Sequence, residues 1–406
     1  MRTIATVASL VALGTLGLQA ADTDSKIWSV SANLRGFYDD NVATTPTGAP
    51  GKIKSFGFEV SPSVVLKVPL DQTKLGLSYT YGMKYYENRS NSADHSHQAE
   101  ASLSHAFTPR YKLSLTDSFV VAQEPSLIDV GVVTTPVRDN GNNLRNLAGI
   151  NFSAECTPLL GFEVGYQNSY YDYQATGAGT RSPLLDRVEH LGRLDLRWQA
   201  LPTTVGILGY QFGIVDQTSK ESLSVALPVV LPSTRNSRSH YLYVGADHDF
   251  TTQLKGSIRG GGQYTEYPNA VAGVKDNSLI PYADGSLSYS YREGSMVQIG
   301  VKHTRNQTDI GNALDQESTT AYGEIRHKIT AKLTGVLNGQ YQHGSFNGGP
   351  NNDKLEQIFL GGANLAYEIN QHLTAEAGYN YDRLSSDLAG RGFTRNRVFL
   401  GIRASY

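Results

Sequence analysis

Strict alternation of apolar and wettable residues, sustained over stretches of ten residues or more, limits this chain more than any other feature. Phe56, Phe58, Val60, Pro62, Val64, Leu66 and Val68 occupy every second position, as do Leu75, Leu77, Tyr79, Tyr81, Met83 and Tyr85. Leu333, Gly335, Leu337, Gly339 and Tyr341 repeat the pattern far downstream. The residues between them, such as Gly76, Ser78, Thr80, Gly82 and Lys84, are small or hydrophilic. A period of two belongs to a strand, whose successive side chains point to opposite faces. Each stretch is therefore a strand meeting two different solvents.

The strands come in pairs. Short turns are expected at Pro69-Leu70-Asp71-Gln72, Thr108-Pro109-Arg110, Thr157-Pro158-Leu159, Leu201-Pro202-Thr203, Thr251-Thr252-Gln253, Arg292-Glu293-Gly294, Thr330-Ala331-Lys332 and Asn370-Gln371-His372. They recur every forty residues or so, a period shared by hairpin arrays and propellers (about 40–45 residues for a common propeller blade). A blade would divide such a period into four short strands buried on both faces, whereas here it holds two long ones with a polar side. Longer loops rich in Gly, Pro, Asn, Asp and Ser begin near Asp39, Asn88, Gln123, Gln174, Asp216, Tyr267, Asn306, Gly344 and Asp382. The expectation is an all-β protein, a transmembrane antiparallel up-and-down barrel of about 18 strands with N- and C-termini periplasmic, since an even count returns both ends to one side. Polar residues intrude on both faces at 237–250 and 279–291, the two least regular strands.

Both ends of the sequence suit export to an outer membrane. Arg2 precedes an apolar run from Ile4 to Leu18, too short to span a bilayer as a mature helix, and Leu18-Gln19-Ala20 offers a small residue for cleavage. Residues 1–20 read as a signal peptide and 21–406 as one barrel domain. In the last dozen residues Val398, Leu400, Ile402, Ala404 and Tyr406 form an apolar face, and the chain ends on an aromatic ring. Gly401, Ala404 and Tyr406 resemble the C-terminal signal by which the barrel-assembly machinery recognises its clients. A mean hydropathy of -0.32 is no objection, because lipid-facing and lumen-facing residues average out in barrel strands.

Charge and cysteine content exclude other classes. With 35 basic and 37 acidic residues the chain has no basic excess for nucleic acid, and a lone Cys156, at the end of a strand, cannot make an intramolecular disulfide. No nucleophile elbow, zinc-protease helix or phosphate loop occurs, so no catalytic residue, metal or cofactor is expected. His95-Ser96-His97 reads as a solvated loop pair, and His105 and His327 fall on outward faces near short turns.

Mid-strand charges on the lumen-facing sets are the candidate selectivity elements. They are Arg35, Lys84, Arg145, Arg193, Arg259, Lys302, Arg326 and Arg397, opposed by Glu59, Glu100, Glu189, Asp195 and Glu324. Charged rings set which ions pass a pore, and the slight basic excess points to anions. On the lipid face at mid-depth an Arg or Lys would cost about 2–4 kcal/mol. Phe107, Phe162, Trp198 and Tyr367, and at the other end Tyr85, Tyr170, Phe212 and Tyr381, suggest two aromatic girdles. Tyr86 and Tyr171 are the aromatic candidates for the inner face. Two loops carry apolar runs: Leu127, Ile128, Val130 and Val132 in 123–143, a candidate constriction, and 225–232 in 216–236; at least one is expected to fold inward or over the mouth, the alternative being a loop docked on its neighbours or on a subunit.

Two stretches carry a family resemblance. Phe37-Tyr38-Asp39-Asp40-Asn41-Val42, and then Tyr379-Asn380-Tyr381-Asp382-Arg383 with Ser385, Phe393 and Arg395-Asn396-Arg397-Val398, resemble outer-membrane beta-barrel porins associated with capsule and exopolysaccharide loci. The bottom-up reading is a channel for passive diffusion of small hydrophilic solutes, with lipid, the assembly machinery and a homo-oligomer as expected partners. The resemblance adds polysaccharide export as the alternative; a structural or receptor barrel comes third.

Overall fold

The computed structural model describes residues 26–90, 92–122, 142–225 and 229–406. Its strands are β1 (Trp28–Asp39), β2 (Ser55–Pro69), β3 (Thr73–Tyr86), β4 (Ala93–Thr108), β5 (Tyr111–Ala122), β6 (Asn143–Glu155), β7 (Leu160–Tyr173), β8 (Arg187–Leu201) and β9 (Thr204–Gln217). They continue as β10 (Ser237–Asp249), β11 (Leu254–Glu266), β12 (Asn277–Arg292), β13 (Ser295–Asn306), β14 (Asp315–Lys328), β15 (Leu333–Asn347), β16 (Leu355–Asn370), β17 (Leu373–Ser386) and β18 (Phe393–Ser405). A single turn-and-a-half helix, α1 (Arg181–Leu185), interrupts the loop between β7 and β8.

Each strand pairs antiparallel with its sequence neighbours, and β1 also pairs with β18, so the 18-stranded sheet closes on itself. The eight expected short turns are the connections at one rim, and the two irregular stretches are strands β10 and β12. Two loops begin later than the sequence suggested, at Gly348 and Asp387 instead of Gly344 and Asp382, because β15 and β17 run on into residues that the turn composition marked as loop. Cys156 directly follows the last residue of β6 and is exposed on the short connection.

Register fixes the faces. Arg35 pairs with Glu59, Glu59 with Lys84 and Lys84 with Asp94, so these four share one side of the sheet. The opposite side holds Leu34, Val60, Met83 and His95, and its exposed large residues include Leu242, Ile258 and Leu400 at 62 to 69 %. The polar set is the more covered one, as the concave side of a barrel must be. Along it, burial rises toward the long loops: Ser55, Gln263, Gln342, Leu360, Asp382 and Arg395 are buried, whereas Lys67, Ser102, Ser104, Leu201 and Ser405 at the short-turn rim are exposed.

The two family motifs meet at the closing seam. Arg395 on β18 donates to both carboxylate oxygens of Asp39 on β1, and both side chains are buried. The Asn396 N–H and side-chain amide donate to Asp40, and the Asn41 amide donates to the Thr394 carbonyl. Burial works to raise the Asp40 pKa, but the Asn396 donors and the Lys52 ammonium outweigh it and hold the carboxyl below its ordinary value. Residues more than 350 apart in sequence thus lock one joint. Truncating Asp39→Ala takes away the carboxylate that the buried Arg395 guanidinium grips with both its Nε and Nη2, a change worth about 3–5 kcal/mol. Urea unfolding in detergent, followed by heat-modifiable gel migration, should show that loss; Gly36→Ala, where a Cβ meets nothing within 4 Å, should migrate as wild type.

Candidate functional site: the lumen wall and its loop cluster

The charges of the wall reach across two strands, and glycines make that possible. Between β1 and β17 lies β18, whose inward residue at this level is Gly401. A Cβ there would lie 2.5 Å from Arg35 Cγ and 2.6 Å from the Leu34 carbonyl. With none, Arg35 lies over β18, its guanidinium 4.9 Å from the Phe399 ring, and reaches Glu376 on β17 at 2.6 Å. Gly209 on β9 does the same for its flanking strands: a Cβ would be 2.1 Å from the Tyr243 ring. Across that saddle Tyr243 of β10 donates its hydroxyl to Asp195 of β8; nearer the short turns, where β9 presents Ile207 and Val205, Arg197 of β8 meets Asp247 of β10 at 3.0 Å.

Two charged arcs result. The seam arc places Arg35, Arg395, Arg397 and Arg403 against Asp39, Asp382 and Glu376; Arg397 meets Asp382 at 2.8 Å and Arg403 meets Glu376 at 3.9 Å. The second arc joins Glu163, Arg193, Asp195, Arg197, Asp247 and Arg259, with Arg193 3.6 Å from Glu163 and Arg259 3.3 Å from Asp247. Between them, β15 and β16 present the carboxamides of Asn338, Gln340, Gln342 and Asn364.

The remaining sequence candidates sit on the same inward set. Lys302 is in register with Asp284, Arg326 lies 3.4 Å from Glu324, and Glu100 accepts from Ser78 and Gln98. Glu189 pairs with Arg187, and Arg145 stands beside Tyr171 with a buried Nε that meets no hydrogen-bond partner among the described residues. Tyr86 and Tyr171 do face inward but under neighbours: Tyr86 packs on Phe37 at 5.2 Å and Tyr171 carries the Arg187 guanidinium at 3.9 Å. Sequence reading missed the acidic halves, Glu163, Asp247, Glu376 and Asp382, although the same parity rule finds them.

His95 and His97 are corrected outright: they are not in a loop but on the outward face of β4, where Tyr81 and Tyr79 meet their Nδ1 atoms at 2.7 and 2.8 Å. The polar composition suggested a loop because the cross-strand hydroxyls that satisfy the rings are distant in sequence.

A loop cluster covers the other rim. Arg235, in the loop after β9, donates to the carbonyls of Leu184 at 3.1 Å, Leu314 at 3.4 Å and Thr308. One buried guanidinium thereby ties the β7–β8, β9–β10 and β13–β14 loops together. Its burial pushes the Arg235 pKa down to about 10, still a cation at neutral pH. Arg391, in the β17–β18 loop, continues the chain to Asp309 at 2.9 Å and Glu356 at 2.7 Å. Beneath, Asp186 at the end of α1 accepts from the Tyr173 N–H at 2.7 Å and from Ser182, and burial pushes its carboxyl up to about 6. Part of the 216–236 loop is thus docked on its neighbours, with Leu223 buried and Val225 and Val229 exposed. Leu127, Ile128, Val130 and Val132 lie outside the described residues.

The sequence matches the family described as "Putative beta-barrel porin 2" over residues 27–406. The chain belongs to that family. It is an outer-membrane β-barrel of the porin kind. Among curated proteins none matches the sequence. Solved structures to which the chain is similar include OpdK of Pseudomonas aeruginosa, at 13% identity over 93% of this chain and 99% of that one with a TM-score of 0.47. Others are a BenF-like porin of Pseudomonas fluorescens Pf-5, at 11% identity, 93% and 99% coverage and a TM-score of 0.47, and OccAB3 of Acinetobacter baumannii, at 12%, 93% and 99%, and 0.43.

Hydrogen bonds to a charged group contribute about 1.5–3 kcal/mol, and each 1.4 kcal/mol is tenfold in an opening equilibrium. Arg235→Ala should therefore raise the rate of limited proteolysis within 174–186 and 307–314 by about tenfold or more, with the strands still resisting cleavage.

Proposed function

We propose that the barrel is a general diffusion channel for small hydrophilic solutes across the outer membrane. The observation that carries this reading is the predominantly polar and charged inner wall of a closed 18-stranded barrel, a size at which side chains do not fill the interior. Charged arcs at the seam and on β7–β11 would act on ions, and the carboxamide wall of β15–β16 would offer neutral hydroxylated solutes hydrogen bonds in place of water. In this reading residues 1–20 are a cleaved export leader, the short-turn rim with both chain ends faces the periplasm, and Gly401, Ala404 and Tyr406 serve recognition by the assembly machinery. The chemistry is passage, with no catalytic residue.

The loop cluster held by Arg235 and Arg391 favours one second reading, a channel for polysaccharide export whose outer mouth opens only with a partner. Single-channel conductance of the refolded barrel in a planar bilayer separates the two. Steady openings support diffusion; silence from a folded barrel supports the gated exporter. In a salt gradient, Glu376→Gln removes the carboxylate shared by Arg35 and Arg403 and should move the reversal potential toward anions. An unmoved potential would take the seam arc out of the selectivity mechanism.

A further inference from the structure

The sequence holds ten histidines, all within the described residues, and none faces the lumen. Polarity alone would send them into the wet interior. Instead His95, His97, His105, His190, His240, His248, His303, His327 and His343 take outward positions on their strands, and His372 stacks on Tyr406 from a short turn.

Eight of the ten have a side-chain hydroxyl 2.7 to 2.8 Å from Nδ1, and six of these stand at two levels. Toward the loop rim, the hydroxyls of Tyr79, Tyr166 and Tyr210 lie 2.8, 2.7 and 2.7 Å from Nδ1 of His97, His190 and His240. In all three the histidine stands two residues before the tyrosine's register partner, a diagonal contact that Tyr81 and His95 repeat. Toward the short-turn rim, Thr73, Thr204 and Tyr291 stand 2.8, 2.7 and 2.7 Å from Nδ1 of His105, His248 and His327. There Phe107 and Phe250 pack edge-on against His105 and His248, with ring centroids 4.6 and 4.5 Å apart.

The vertical spacing is also regular. His97 and His105 on β4 are eight residues apart, as are His240 and His248 on β10, and eight residues beyond His190 on β8 stands Trp198, a residue type that marks membrane interfaces. Eight residues at about 3.4 Å each, tilted by about 40°, rise about 21 Å, close to the apolar band of about 25 Å on such barrels. Between the two levels the outward residues are Ala99, Ala101 and Leu103 on β4, and Leu242, Val244 and Ala246 on β10.

We propose that His97, His190 and His240 on one side and His105, His248 and His327 on the other are binding sites for the phosphate groups of membrane lipids at the two interfaces. When the neighbouring hydroxyl donates to Nδ1, the ring proton resides on Nε2. That far nitrogen then offers a neutral, oriented N–H to a phosphate oxygen, a hydrogen bond to a charged acceptor that does not require a buried cation on the protein. The inference rests on the barrel's spanning a bilayer and is independent of what passes through it.

Native mass spectrometry of the full barrel released from mixed-lipid nanodiscs tests this. The probes are phosphatidylglycerol, phosphatidylethanolamine and phosphate-free monogalactosyl diacylglycerol. Wild type should retain both phospholipids over the galactolipid, by about fivefold for each site occupied. The variant His105→Phe/His248→Phe/His327→Phe keeps the rings but loses the donors, and should retain fewer phospholipids while migrating as a folded barrel; His→Gln at the same positions should restore part of the retention. Equal retention of all three lipids by wild type overturns the proposal whether or not the variants fold. Retention of phosphatidylethanolamine alone overturns it too, since that would mean recognition of the ammonium.

Discussion

A sheet in hydrocarbon has nowhere to place an unpaired backbone N–H or C=O, each of which costs several kcal/mol there, and the rest of this molecule follows from that constraint. Eighteen strands satisfy it only because β1 finds β18, with residues 31–39 paired against 397–405. The joint is reinforced where it nears the loops, through the buried Asp39–Arg395 pair and the Asp40–Asn396 contacts. Once closed, the sheet has a side that lipid must tolerate and a side that lipid cannot reach. Charge can gather on the second.

How it gathers depends on residues with no side chain. Arg35 reaches Glu376, and Tyr243 reaches Asp195, because Gly401 and Gly209 leave saddles in the strands between. Pairs that span two strands tie the wall laterally, with the carboxylates of Glu376 and Asp195 buried and the guanidinium groups of Arg35 and Arg193 partly exposed. The outer face is built by the opposite logic. There, imidazoles and phenols such as His97 and Tyr79 satisfy one another across strands, so these polar groups are met by neutral partners.

Much of this was legible in the sequence, and what was not has a common cause. Alternation such as Leu75 to Tyr85 identifies a strand and its two faces from a dozen residues, since the period is local. Turn residues such as Thr157-Pro158-Leu159 are equally local. The inward parity of Arg35 or Lys84 follows from the same pattern, but their partners do not, because Glu376 lies 341 residues from Arg35 and only closure brings them together. Arg235 gave no signal at all: it binds three carbonyl oxygens, and backbone carbonyls carry no sequence signature. His95 and His97 misled for a related reason. A polar run reads as loop unless the tyrosines opposite are known to satisfy it.

The claim on which everything turns is that one face of the wall is wet and the other lies in lipid. Single-cysteine scanning along β17 in a Cys156→Ser background, in intact outer membranes, measures it directly with a charged, water-borne thiol reagent. Labelling should be fast at Glu376, Gly378 and Asn380 and slow at Ala375, Ala377 and Tyr379, a clean period of two. Labelling without alternation, or at the outward set, would contradict it.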